Sequence, residues 1–134
     1  MATRGIRNNN PLNIRHGKSQ WVGMREEQTD KAFVQFTERK YGYRAAFVLL
    51  RNYIGMGKNT IGKIIARWAP PTDGNNTQGY IDYVSKSTGI DSSRVLRFED
   101  KDDLVSIVQS MAQVESAIIE QKTLIEEAYD LAKQ

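Results

Sequence analysis

The sequence predicts an α+β domain that is mostly helical and carries one small β-hairpin near its start. Two observations carry this prediction. Short segments rich in aromatic and β-branched residues flank a polar stretch between residues 20 and 36, which is typical of a hairpin. After it, apolar residues recur at helical spacing in segments separated by glycine, proline and asparagine. We expect one domain over residues 1–134, with an asparagine-rich loop and hairpin at 4–37 and a helical part at 43–133.

The first element is a loop, "RGIRNNNPLNIRHG" at residues 4–17. Asparagine amides compete with the backbone for hydrogen bonds, and Pro11 disfavours helical geometry at Asn10. In the hairpin, "SQWVGM" and "KAFVQF" are the strands and "REEQTD" is the polar connection. Helical spacing then predicts five helices: around 46–54, at 61–68 after a cap at Asn59 or Thr60, at 77–87 before Gly89, after a cap at Asp100, and at 123–133.

The composition limits the possible functions. There is no cysteine and only one histidine, so a zinc site is disfavoured, and we expect no metal or organic cofactor. No apolar run is long enough for a membrane span, and the start lacks the apolar stretch of a signal peptide. We therefore expect synthesis in the cytoplasm, with action at the cell wall or within a virion. The net charge is +3, and the acidic residues concentrate near the end, so the basic part suits an anionic polymer such as nucleic acid or cell-wall glycan.

The helix after Asp100 carries an acidic residue in an apolar stripe. Leu104, Val108, Met111, Glu115 and Ile118 follow one another in steps of four and three, which places them on one face. Burial of a carboxyl group raises its pKa, and a protonated carboxyl group can donate a proton to a leaving oxygen. If the helix instead ended just before this glutamate, the side chain would lie at a solvated terminus.

The motifs "RGIRNNNPLNIR" and "RWAPP" resemble a family of short phage and prophage proteins. These are often described only as structural proteins and are linked to peptidoglycan-degrading virion enzymes. The similarity runs from about Arg4 to Tyr129.

A more remote resemblance is to glucosaminidases of the lysozyme superfamily, in the order and spacing of the asparagine-rich loop, hairpin, aromatic strand and helix. The Glu-Ser pair of "MAQVESAII" is similar to the one that closes the catalytic helix of lytic transglycosylases, although Ala117 stands where those enzymes tend to carry glycine. Here the Glu-Ser helix follows the loop instead of preceding it, so the resemblance implies a circularly permuted lysozyme-like domain. It also implies cleavage of peptidoglycan glycan strands with Glu115 as the single general acid.

The asparagines of the loop are candidates for binding such a glycan. Amides donate and accept at once, which suits hydroxyl and N-acetyl groups, so Asn8, Asn9, Asn10 and Asn13 are candidate ligands. Arg15 is a candidate partner for a lactyl or peptide carboxylate. The alternative is that these amides bind the backbone of their own loop.

Other side chains have two interpretations as well. Tyr80 could orient a sugar amide or assist the acid, or it could pack in the core. Glu26, Glu27 and Asp30 could supply the second carboxylate that most glycosidases use, or they could form a solvated turn.

Two further functions stay open. One is a glycan-binding or virion structural protein without turnover, whose partners would be glycan strands or virion components. The other, less favoured, is nucleic-acid binding through basic residues, namely Arg4, Arg7, Arg15, Lys18 and Arg44. The sequence carries no helix-turn-helix or zinc signature that would favour the latter.

Overall fold

The computed structural model describes residues 2–134, in which one short α-helix opens an amide-rich N-terminal segment and five further α-helices follow it. A short 3₁₀ turn at Pro71–Asp73 lies between the third and fourth helices. The helices are α1 (Arg4–Arg7), α2 (Arg39–Gly55), α3 (Ile61–Trp68), α4 (Thr77–Thr88), α5 (Lys101–Ser116) and α6 (Lys122–Ala132).

The predicted α+β lysozyme-like class is wrong, because the described residues contain no β-hairpin and the protein is all-helical. The segment Phe33–Phe36 runs antiparallel between two other extended pieces of chain. It meets each of them in a single isolated bridge, Arg15 with Phe33 and Met24 with Phe36. Each of these pairings is too short to form a ladder, so neither expected strand is present between residues 20 and 36.

Side-chain amides occupy the positions that a ladder would use. The Asn10 Nδ2 donates to the carbonyl oxygens of Ile14 and Val34, at 2.9 and 2.8 Å. The Gln28 Oε1 accepts from the backbone N–H of Gln35 at 2.8 Å. Buried backbone groups need partners, and here short-range amides supply them, which is why the segment forms turns and single bridges instead of strands.

The predicted helices are confirmed, with small changes at their ends, but the predicted cap residue Asp100 makes no side-chain hydrogen bond to the start of α5. The Thr60 hydroxyl accepts from the Lys63 N–H at 3.1 Å and starts α3, and Gly89 adopts φ 72° to end α4. Helix α2 begins earlier than predicted. The "RGIRNNN" segment also contains one unpredicted helical turn, α1.

The core lies between α2 and the C-terminal helices. Phe47 of α2 is fully buried, and its ring meets the Tyr129 ring of α6 edge-on at a centroid distance of 5.4 Å. Tyr129 also stacks on Phe98 at 5.1 Å. Helix α5 packs against both α4 and α6, so its last turn lies where the helices meet the N-terminal segment. In the part of the chain described, no helix has the length and hydropathy that crossing a membrane requires.

Candidate functional site

Glu115 lies in the last turn of α5, at the end of the apolar stripe. Leu104, Val108 and Met111 are fully buried beneath it, as the spacing predicted. The helix ends at Ser116, so Ile118 lies beyond it and does not continue the stripe on the helix. Because the chain turns away at this point, the Glu115 side chain is half-buried instead of enclosed.

The Glu115 carboxyl group is held from two sides. The Asn13 Nδ2 donates to Oε1 at 3.2 Å and also to the Glu115 backbone carbonyl at 3.2 Å. The Tyr80 hydroxyl donates to Oε2 at 3.1 Å. Burial raises the pKa of Glu115, and the bonds from Asn13 and Tyr80 and the charge of Arg15 oppose that rise without cancelling it.

Asn13 reaches the carboxyl group because its loop is fixed to the end of α5. The Ser116 hydroxyl donates to the Pro11 carbonyl at 2.7 Å, and the Thr3 hydroxyl donates to the Ser116 carbonyl at 2.8 Å. Gly5 is needed for this approach, because a Cβ there would overlap the Ser116 hydroxyl. The N-terminal segment and α5 therefore form one rigid junction.

Asn13 itself is held at a cost. Its φ is 53°, in the left-handed region, and its side-chain oxygen is buried with no hydrogen-bond partner among the described residues. Left-handed backbone and unsatisfied buried polar atoms both cost free energy, and they concentrate at functional sites. Asn13 thus keeps its amide N–H group directed at Glu115 despite that cost.

Tyr80 is positioned by the start of α4. The Asn76 side chain caps the helix by accepting from the Gly79 N–H at 3.1 Å. The Tyr80 ring is buried, and burial beside Glu115 raises the pKa of its hydroxyl well above the ordinary value. The hydroxyl therefore stays protonated and acts as a donor to Glu115.

Two surface grooves lie beside the hydrogen-bond partners of Glu115, and Glu115 itself lines neither of them. The tryptophan groove, of about 320 Å³, includes Asn13 in its wall, and its polar and aromatic lining comprises Asn13, Arg15, Ser19, Trp21, Tyr53, Arg67 and Trp68. The tyrosine groove, of about 290 Å³, includes Tyr80 and is lined by Asn75, Asn76, Gly79, Tyr80, Tyr83 and Val114. Glu115 is thus hydrogen-bonded to one wall residue of each groove.

The other three predicted asparagines direct their amides into the protein. Asn8 is buried and donates to Asp30 at 2.9 Å, while Asn9 donates to the backbone of Phe36 and Thr37. Asn10 is fully buried, and its amide makes the hydrogen bonds to Ile14 and Val34 described above. Of the candidates named from sequence, the fold brings together Glu115, Asn13, Arg15 and Tyr80.

The remaining charged candidates lie elsewhere. Asp30 accepts a bidentate bond from Arg4, which holds the pKa of that carboxyl group well below its usual range. Arg7 donates to the Ala2 carbonyl. Across residues 2–134, no three histidine, aspartate or glutamate side chains come together as metal ligands would.

A second buried glutamate makes a contrast. Glu120 accepts from the Arg39 Nε at 2.8 Å and from the Tyr43 hydroxyl at 2.9 Å, and so ties the chain after α5 to α2. Its charge is neutralised by a guanidinium group, whereas the bonds that Glu115 accepts come from neutral groups.

The sequence analysis named neither Arg67 nor Trp68 as a site residue. Both line the tryptophan groove, and Trp68 is only half-buried. The adjacent basic and aromatic residues at the end of α3 were the available signal.

No family model matches the chain. A curated relative, Protein P5 of Pseudoalteromonas phage PM2, is 40% identical to it over 114 residues, which cover 82% of this chain and 71% of the relative. The chain belongs to the family of this phage protein.

Membership of the Protein P5 family confirms the predicted kinship with phage proteins. The chain is therefore a phage-related protein. The resemblance to glucosaminidases and lytic transglycosylases, together with the circular permutation, stays a prediction.

Proposed function

We propose that this phage-related protein binds glycan strands of peptidoglycan across its two grooves and cleaves them with Glu115 as general acid. The bond cleaved would join N-acetylmuramic acid to N-acetylglucosamine. The observation that carries the proposal is the half-buried Glu115, with its raised pKa, hydrogen-bonded to one wall residue of each groove.

The chemistry follows from the protonated form of this carboxyl group. Glu115 would give its proton to the glycosidic oxygen as the bond from the muramyl C1 to that oxygen breaks. The departing sugar keeps the bonding electron pair, and the N-acetyl carbonyl oxygen of the muramyl sugar closes on C1. Water or the sugar's own 6-hydroxyl group then attacks C1, the bond from C1 to the N-acetyl oxygen breaks with its electron pair returning to that oxygen, and the Glu115 carboxylate takes up the released proton. Such assistance by the substrate removes the need for a second carboxylate.

Asn13 and Tyr80 would act as positioning residues in this scheme. Each donates to a different carboxyl oxygen of Glu115. A carboxyl oxygen has two lone-pair sites, so each oxygen can accept its donor and still carry or receive the transferred proton. The two bonds would fix the plane of the carboxyl group relative to both grooves.

Incubation of purified peptidoglycan with the protein, followed by mass analysis of soluble products, tests the proposal. Fragments with reducing ends indicate hydrolysis, and fragments with anhydro-muramyl ends indicate transglycosylation. Glu115→Gln should abolish release, because the amide has no acidic proton to give. Glu26→Gln changes an exposed glutamate and serves as the matched control. If the unaltered protein released no peptidoglycan fragments, the proposed cleavage would be contradicted.

The second candidate is a phage structural protein that binds glycan without cleaving it. Neither groove is lined by a carboxylate side chain, whereas most glycosidases use a pair of carboxylates. Kinship with Protein P5 fits this candidate without requiring turnover. It predicts that the protein sediments with peptidoglycan, that no fragments are released, and that Glu115→Gln leaves sedimentation unchanged.

A further inference from the structure

The two grooves beside Glu115 differ in charge. The lining of the tryptophan groove includes two guanidinium groups, Arg15 and Arg67, and no carboxylate. The lining of the tyrosine groove includes no charged residue and presents the amides of Asn75 and Asn76. A ligand that spans both grooves would therefore meet a cationic surface on one side of Glu115 and a neutral surface on the other.

Both guanidinium groups are available to a ligand. Arg15 and Arg67 are exposed, and within residues 2–134 neither forms an ion pair. Each lies over an aromatic ring, Arg15 at 5.1 Å from the Phe33 centroid and Arg67 at 5.6 Å from the Tyr53 centroid. Such stacking leaves the N–H edge of a guanidinium group open to a planar carboxylate.

Aromatic surface lies beside this charge. Trp21 and Trp68 are half-buried in the wall of the same groove, and Trp68 meets Tyr53 edge-on at 6.1 Å. A partly exposed indole offers an apolar face with a polar tip, which suits a pyranose ring. The tryptophan groove thus combines a surface for a sugar ring with cations for an acidic substituent.

We infer that the tryptophan groove takes the acidic N-acetylmuramic acid, with Arg15 and Arg67 binding its lactyl or stem-peptide carboxylates, and that the tyrosine groove takes the neutral N-acetylglucosamine. The inference rests on the proposed function and adds the direction in which the strand lies. It makes Arg15 and Arg67 specificity-determining residues. They would separate peptidoglycan from chitin, which has the same backbone without the acidic substituent.

Binding of small uncleaved fragments tests the inference apart from turnover. The muropeptide disaccharide, N-acetylglucosamine linked to N-acetylmuramic acid with its stem peptide, lacks the bond that would be cut. By calorimetry it should bind more tightly than chitotetraose or the same disaccharide with amidated carboxylates. Arg67→Gln and Arg15→Gln should each weaken muropeptide binding by about tenfold, as expected for a lost charged hydrogen bond, and leave chitotetraose binding unchanged.

The matched control is Lys86→Gln, which removes one exposed positive charge from α4, outside both grooves. It should leave muropeptide binding within twofold. Equal binding of muropeptide and chitotetraose, or equal effects of all three substitutions, would overturn the inference. The inference would also be overturned if a duplex DNA oligonucleotide bound more tightly than the muropeptide and Arg67→Gln abolished that binding. The groove would then be a nucleic-acid-binding site.

The two proposals fail in different ways. If Glu115→Gln stops fragment release but Arg67→Gln and Arg15→Gln bind muropeptide as tightly as the unaltered protein, the proposed cleavage is supported and the inferred strand direction is wrong. If muropeptide binding depends on both arginines but the unaltered protein releases no fragments, the proposed cleavage is wrong and the assignment of N-acetylmuramic acid to the tryptophan groove is supported.

Discussion

Residues 8–38 and the helices α2 to α6 hold their shape by different interactions. In the first region, side-chain amides bind backbone groups, as in the bonds from Asn10 to Ile14 and Val34. In the second, apolar side chains such as Phe47 and Leu104 are fully buried between helices. The candidate site takes Asn13 and Arg15 from the first region and Tyr80 and Glu115 from the second.

The difference explains how each region serves the site. A helical core can bury a carboxyl group at the edge of an apolar stripe and so raise its pKa. It offers few free donors, because helical N–H groups already have partners. The amide-rich segment can direct an N–H group at that carboxyl, because its shape depends on side-chain hydrogen bonds and tolerates left-handed residues such as Asn13.

The largest effect should come from the helical region. Phe47→Ala should lower the free energy of unfolding by about 3–5 kcal/mol, because it leaves a cavity between α2 and α6. Denaturant unfolding measures the change. Val95→Ala, at an exposed loop position, should stay within about 0.5 kcal/mol. Similar losses for both variants would mean that the helices do not depend on this core.

The amide-rich region should respond next. Asn10→Ala removes three buried hydrogen bonds and should cost about 2–4 kcal/mol, because each buried group left unsatisfied costs about 1–3 kcal/mol. The same unfolding experiment applies. The matched variant Asn75→Ala removes one exposed bond and should cost under about 1 kcal/mol. If the two asparagine substitutions lowered the free energy of unfolding equally, buried side-chain amides would not be what stabilises the first region.

The boundary between the regions offers a stabilising change. Ala117 ends α5 with φ 55° and is exposed, so Ala117→Gly should raise the free energy of unfolding by about 0.5–1 kcal/mol. The converse substitution is Gly89→Ala at the end of α4, where φ is 72° and an added Cβ would contact no other atom. That variant should lose stability by a similar amount. A stability loss in Ala117→Gly would show that its side chain matters more than its backbone.

The smallest effect should appear as a pH dependence. The pKa of Glu115 is raised in the folded protein, so at a pH between the ordinary carboxyl pKa and the raised one the folded state holds a proton that the unfolded state has released. Stability from this group is present at low pH and falls as pH rises from the ordinary carboxyl pKa through the raised one. Glu115→Gln should flatten that part of the stability profile, and its single amide oxygen can accept from Asn13 or from Tyr80 but not from both. An unchanged profile would contradict the raised pKa.

Asp30 in the amide-rich region should titrate in the opposite sense. Its pKa is lowered by the bond from Arg4, so its contribution is present above the ordinary aspartate pKa and is lost as pH falls. Comparison of Asp30→Asn and Glu115→Gln profiles would separate the two groups, with the first variant losing its effect in acid and the second differing most above the ordinary carboxyl pKa.

Sequence patterns predicted the helices well and the amide-rich region poorly. The stripe of Leu104, Val108 and Met111 predicted α5 and a Glu115 that faces the core, and the structure half-buries this side chain at the end of the helix. The hairpin prediction was wrong because short segments rich in aromatic and β-branched residues suit any extended chain. Whether such chain forms a ladder depends on which groups satisfy its backbone, and here they are amides from other residues.

The sequence by itself determined the helix positions, the cap at Thr60 and the end of α4 at Gly89, the absence of cysteine and the acid at the end of an apolar stripe, because these depend on residues a few positions apart. Only the tertiary structure decided that Asn13, among four similar asparagines, contacts Glu115, that Tyr80 meets the same carboxyl group, and that Arg67 and Trp68 line a groove with Arg15. The physical reason is that an amide or hydroxyl group can bind many partners, and the one it binds is set by contacts between distant parts of the chain.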